Sequence, residues 1–281
     1  MPKPVLGMIH SLARSGATII CRHFGAMDHV ALFSEIHRDG ATLIKQEMPP
    51  PANAALNIRI QGAMWFGLYS AGEAQSVIAA AEEPNTPELI QEVIERCQSK
   101  GLTPVIRDWS HMDFMGLPFR APTPHLSLYH ELSGYYDIRQ TSIVRHPLGN
   151  YMSMVNSATL KQFIGTDGFE HFIEGYRQFI EAVPADSMIR YEDFLADKTG
   201  TIQKLADYMG IPFDPDFETK AANNTRITGD AAGKGLTQYA GTLKTIDKAI
   251  FDMATSNNTY RNAAETAGYD PDSVPSGYTI G

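Results

Sequence analysis

Pro4-Val5-Leu6-Gly7-Met8-Ile9 leads into a polar turn, Arg14-Ser15-Gly16-Ala17-Thr18, and beyond it Ile19, Ile20 and Phe24 recur at helical spacing. The apolar run is the length of a buried strand. A strand, a glycine-containing turn and a helix in succession are the opening of an α/β unit. The first-turn N–H groups of such a helix have no intrahelical acceptor, and the helix dipole favours an anion beside them. Gly16 allows close backbone approach, while Arg14, Ser15 and Thr18 add donors of the kind a phosphate needs.

A second segment repeats the pattern. Ile143-Val144-Arg145-His146-Pro147 ends an apolar run, Pro147 suits the first position of a helix, and Ser153 follows Arg145 by eight residues. Arg145 thus falls at the carboxyl end of a strand, where doubly wound sheets bind ligands. Two grips, each at a helix start, call for a ligand with two separated phosphate groups.

Strands are expected at Pro4–Ile9, Val30–Phe33, Thr103–Ile106, Ile138–Val144 and Ser187–Ile189. Helices are expected from Thr18 and over Met64–Ala81, Pro87–Gln98, His125–Leu132, Leu148–Ser157, Gly168–Val183 and Thr199–Met209. This alternation predicts an α/β fold with a central, mostly parallel sheet flanked by helices on both faces. Gln46–Asn53, with three consecutive prolines, and the Gly-rich Asn223–Gly241 read as irregular loops, and the stretch from Pro271 reads as a surface tail.

The chain has 281 residues, 43% of them hydrophobic, enough for one sizeable domain over 1–281. Its formal net charge of −9 disfavours nucleic acid and anionic membranes as partners but leaves room for a local positive pocket. Two cysteines, Cys21 and Cys97, form no CxxC pair, and no apolar run approaches the roughly 20 residues that cross a bilayer. A cytoplasmic protein without stable membrane insertion is the expectation. The nine histidines show no HxxxH or HExxH spacing, so no metal is expected.

An ATP-type phosphate loop would carry a lysine directly after the glycine, where this chain has Ala17. The charge precedes the glycine instead. With Arg145 and Ser153, and with Arg190-Tyr191-Glu192-Asp193-Phe194 followed later by Gly210-Ile211-Pro212-Phe213, the pattern resembles the sulfotransferases that use 3′-phosphoadenylyl sulfate, in their bacterial and Golgi form. The resemblance runs over most of residues 4–215. It implies a P-loop-like three-layer fold and transfer of a sulfuryl group to a hydroxyl or amine, leaving adenosine 3′,5′-diphosphate.

Carried onto this chain, the resemblance gives Arg14 the bridging oxygen and the 5′-phosphate, which Ser15, Gly16, Ala17 and Thr18 cradle. Arg145 and Ser153 take the 3′-phosphate and Tyr191 the adenine. A late basic loop, Arg226 and Gly233-Lys234-Gly235, closes on the 3′-phosphate side. For the general base, Glu35 is preferred on its separation from Arg14, with His111 the alternative because it lies nearer the histidine base of cytosolic members. Glu192 and Asp193 are read as buttresses of the helix that follows them. The acceptor, small or medium-sized, is expected to meet loops Gln46–Asn53, Ser110–Thr123 and Asn223–Gly241. A small-metabolite kinase, and a sulfotransferase-like nucleotide-binding protein without chemistry, are the competing readings.

Overall fold

The computed structural model describes residues 3–40, 56–79, 83–116, 121–157, 168–229 and 243–281. Five strands, β1 (Val5–Ser11), β2 (Val30–Ile36), β3 (Thr103–Asp108), β4 (Asp137–Val144) and β5 (Met188–Arg190), form one sheet in the order β2-β3-β1-β4-β5. Every pairing in it is parallel. The apolar stretches of these strands, such as Val30–Phe33 and Ile143-Val144, are buried, and such stretches made the strands visible in the sequence.

Helices cover both faces. On one, Ile9, Leu32 and Ile143 pack against α1 (Ala17–Phe24), α9 (Tyr191–Ala196) and α10 (Lys198–Met209), with Phe217 of α11 (Phe217–Ala221). On the other, Leu6, Met8, Phe33 and Ile106 meet α2 (Ile58–Phe66), α3 (Ala71–Ala79), α4 (Pro87–Ser99) and α6 (Ser127–Leu132). A third cluster joins Val144 to α7 (Pro147–Val155), α8 (Gly168–Ala182) and α13 (Asn258–Thr266). The result is the expected three-layer α/β architecture. Because β1 is central and the chain leaves it towards β2 but leaves β4 towards β5, the switch of direction falls between β1 and β4. None of the described helices is long and apolar enough to cross a membrane.

Three expectations need correction. The helix expected over Met64–Ala81 is two helices: α2 starts earlier, capped by the Asn57 side chain, and stops at Gly67 in the left-handed region (φ 56°). Ser70 and Glu73 then exchange hydrogen bonds that open α3. The loop expected from Ser110 begins with a short buried helix, α5 (His111–Met115), which packs Phe114 and Met115 into the third cluster. The tail from Pro271 is structured: β7 (Tyr278–Ile280) pairs in parallel with β6 (Lys244–Ile246) across α12 (Lys248–Ser256) and α13, and Tyr278 is buried. The proline-rich loop and most of the Gly-rich loop, Lys234 included, lie outside the described residues.

Candidate active site

The first grip forms where β1 ends. Arg14 and Gly16 both adopt the left-handed backbone, at φ 65° and 89°, so the chain folds tightly back before α1 begins. Among the described residues no side chain caps α1, and its leading N–H groups can meet an anion. A Cβ on Gly16 would sit 2.2 Å from Cδ2 of Tyr191, so only glycine fits between the loop and that ring. Ser15 is buried, and its hydroxyl has no hydrogen-bond partner among the described residues. An orphaned hydroxyl inside a turn with open N–H groups fits a phosphate oxygen.

The second grip lies directly against the first. Arg14 Nε donates to Ser153 Oγ at 3.2 Å, and Arg145 Nη1 donates to the Arg14 carbonyl at 3.3 Å. Asn150 Nδ2 donates to the Ala13 carbonyl at 2.7 Å, tying the loop to α7. The Arg145 guanidinium stands 5.0 Å from the centre of the Tyr191 ring, so one tyrosine backs both turns. Like α1, α7 has no side-chain cap. The chain brings Arg14, Ser15, Gly16, Ala17, Thr18, Arg145, Ser153 and Tyr191 together at the switch point between β1 and β4. Tyr191 spends its ring on Gly16 and Arg145, a wall between the two turns.

Glu35 owes its place to an irregular edge strand. The pairing of β2 with β3 skips a residue between Ser34 and Ile36, so Glu35 bulges out with φ 57°. Gln61 takes the place of a missing neighbouring strand: the Ser34 N–H donates to Gln61 Oε1, and Gln61 Nε2 donates to the Ser34 carbonyl, both at 2.7 Å. Arg107 Nη2 donates to Glu35 Oε1 at 3.1 Å, and Arg107 Nη1 donates to Ser34 Oγ at 3.2 Å. A Cβ on Gly229 would be 3.1 Å from Thr18 Oγ1 and 3.2 Å from Glu35 Oε1, so Gly229 lies beside both the carboxylate and the start of α1. The segment before Gly229 is fastened there by Thr228, whose hydroxyl donates to Ser34 Oγ at 2.9 Å.

His111 is of a different character. It is buried at the start of α5, edge-on to Trp109 with ring centroids 5.2 Å apart. Burial, with the positive charge of Arg107 and the neighbouring His37, against the opposing pull of Asp113, pushes it down to about 3, so the ring is neutral near pH 7. His146, behind the second grip, is likewise pushed down to about 4 by burial and Arg145, against the opposing pull of Asp270. Both histidines take up protons near 6.5 once unfolded. Between pH 6.5 and about 4 the unfolded chain therefore binds more protons than the folded one, so stability falls as pH falls. Urea unfolding at pH 7, 6 and 5 is expected to show this loss, up to about 1.4 kcal/mol per pH unit for each histidine. A flat stability profile over that window would contradict the buried, neutral assignment.

The sequence reading missed Arg107, Asn150, Ser34 and Gln61. Asn150 had a signal, as a polar residue one turn before Ser153 in the mostly apolar Pro147–Val155 helix. A buried pair, His10 Nδ1 with Asp108 Oδ2 at 2.9 Å, also joins β1 to β3 beneath the site. Glu192 Oε1 accepts from the His146 N–H at 3.2 Å, and Asp193 pairs with Arg190 at 2.9 Å, so both acidic residues of that segment brace structure. Among the described residues no group of three or more His, Cys, Asp or Glu is placed to hold a metal ion.

No family model and no curated protein matches the sequence. Solved structures do match. The fold is similar to that of a sulfotransferase domain from the curacin biosynthetic pathway, with a TM-score of 0.65 at 16% identity, over 96% of this chain and 99% of that one. It is also similar to that of a sulfotransferase domain from the Synechococcus PCC 7002 olefin synthase, with a TM-score of 0.61 at 17% identity, over 96% and 97% of the two chains. The five-stranded parallel sheet and its flanking helices are thus those of the fold that these sulfotransferase domains adopt.

Proposed function

We propose that the chain is a sulfotransferase that takes its sulfuryl group from 3′-phosphoadenylyl sulfate and passes it to a hydroxyl or amine of a small or medium-sized acceptor. The observation that carries this reading is the contact between the two grips: Arg14 reaches Ser153, and Arg145 reaches the Arg14 carbonyl. One ligand with two separated phosphates can span them. When bound, the donor supplies an activated sulfuryl group on a phosphate leaving group.

In this reading the side chains divide the work. The Arg14 guanidinium and the open N–H groups of α1 donate to the 5′-phosphate and neutralise the charge that builds on it as the S–O bond breaks. Ser15 and Thr18 add hydroxyl donors. Arg145 and Ser153 hold the 3′-phosphate, which fixes the nucleotide so that acceptor oxygen, sulfur and leaving oxygen stay in line. Glu35 takes the acceptor's proton, its Oε1 held by Arg107. His111, neutral and buried, shapes the pocket beside Trp109.

The test combines binding and transfer. Adenosine 3′,5′-diphosphate is expected to raise the melting temperature well beyond the effect of ADP, and the chain is expected to pass labelled sulfur from 3′-phosphoadenylyl sulfate to a component of a metabolite extract. Glu35→Gln is expected to keep the thermal shift and lose transfer by about a hundredfold or more. Equal stabilisation by ADP overturns the nucleotide reading. Full transfer by Glu35→Gln overturns the choice of base.

A further inference from the structure

Residues 268–275 pack against the back of the second grip through several independent contacts. The Tyr269 hydroxyl donates to Glu192 Oε2 at 2.6 Å, while the other oxygen of that carboxylate accepts the His146 N–H at 3.2 Å. One carboxylate thus ties the C-terminal segment to the peptide directly after Arg145. The Tyr269 ring lies edge-on to the His146 imidazole, with centroids 5.3 Å apart, and Ser273 Oγ stands 3.4 Å from His146 Nε2. Pro275 lies flush on α7, since a Cβ on Gly149 would be 3.0 Å from Pro275 Cβ and 3.5 Å from Arg145 Nε. Arg190 Nη1 donates to the Gly268 carbonyl at 2.8 Å, anchoring the start of the segment.

We propose that residues 268–275 form a brace that sets the backbone of the turn between β4 and α7, making Tyr269 and Ser273 positioning residues that aim Arg145 at the 3′-phosphate. The proposal rests on the nucleotide reading above. Arg145 cannot set its own direction: its carbonyl is held by the Tyr176 hydroxyl at 2.8 Å, and the next N–H is held by Glu192. Without the Tyr269 hydroxyl, Glu192 loses a partner in a partly buried setting and is free to turn from His146. The turn then relaxes, and the guanidinium with it. The first grip gives up at most the Arg145 contact to the Arg14 carbonyl and keeps the Asn150 hydrogen bond to Ala13 from the body of α7.

Calorimetric binding of adenosine 3′,5′-diphosphate and of adenosine 5′-monophosphate to the full chain tests this, with Tyr269→Phe and Ser273→Ala beside the wild type. The wild type is expected to prefer the diphosphate, and that preference isolates the 3′-phosphate. Tyr269→Phe keeps the ring and deletes only the hydroxyl; it is expected to shrink the preference about tenfold while monophosphate affinity stays within about twofold. Ser273→Ala is expected to act in the same direction, and it carries the test alone if Tyr269→Phe does not fold. No preference in the wild type would sink the nucleotide reading itself. A wild-type preference that the variants retain, or an equal loss of both ligands, overturns the brace and leaves the nucleotide reading standing.

Discussion

Arg145→Ala is expected to erase most of the thermal stabilisation that adenosine 3′,5′-diphosphate gives the wild-type chain. At a ligand concentration about 100 times Kd, the wild type gains about 2.7 kcal/mol. For a chain of this size that is a rise of several degrees, at about 2–4 °C per kcal/mol. A buried, charge-assisted contact to phosphate contributes about 2–5 kcal/mol, so its loss removes a shift of that size at the same ligand concentration. Arg145 also donates to the Arg14 carbonyl, so the baseline melting temperature of the variant falls somewhat. The decisive quantity is the ligand-induced shift, measured from each protein's own baseline. A wild-type shift in Arg145→Ala would separate the second grip from nucleotide binding.

Gly16→Ala is expected to cost both stability and nucleotide binding heavily for a single added methyl group. A left-handed backbone at φ 89° penalises any side chain by roughly 1–2 kcal/mol. The added Cβ would also arrive 2.2 Å from a ring carbon of Tyr191, too close for coexistence. Either the loop or the tyrosine must move. Because Tyr191 also backs Arg145, movement on either side spoils both turns. A total cost of about 3 kcal/mol or more follows, with nucleotide binding lost. Thermal unfolding of the variant with and without adenosine 3′,5′-diphosphate checks it, and a variant with the wild-type melting point and shift would show that the turn does not have the geometry described.

The parts legible from sequence were those that local chemistry dictates. Buried parallel strands announce themselves as apolar runs, and the two turns carry glycine, proline and arginine at positions that only a strand-to-helix junction explains. What stayed hidden depends on distant partners. Nothing local tells that Glu35 bulges, because the bulge is set by Gln61 on α2 and Arg107 on β3. The break at Gly67 was masked by the alanine-rich apolar pattern that continues on its far side. His111 offered no local sign that Trp109 and α5 would enclose it. The closing strand β7 is too short to read alone, and it exists because β6, more than thirty residues earlier, offers it a partner.

The hydrogen bond from Asn150 to the Ala13 carbonyl, with those linking Arg14, Ser153 and Arg145, has an energetic consequence beyond geometry. The entropy of ordering both turns is met once, when the polypeptide folds, instead of at each encounter with a ligand. A molecule that arrives meets a receptor already in register at both ends, so its affinity reflects the contacts it makes with little deduction for rearranging the host.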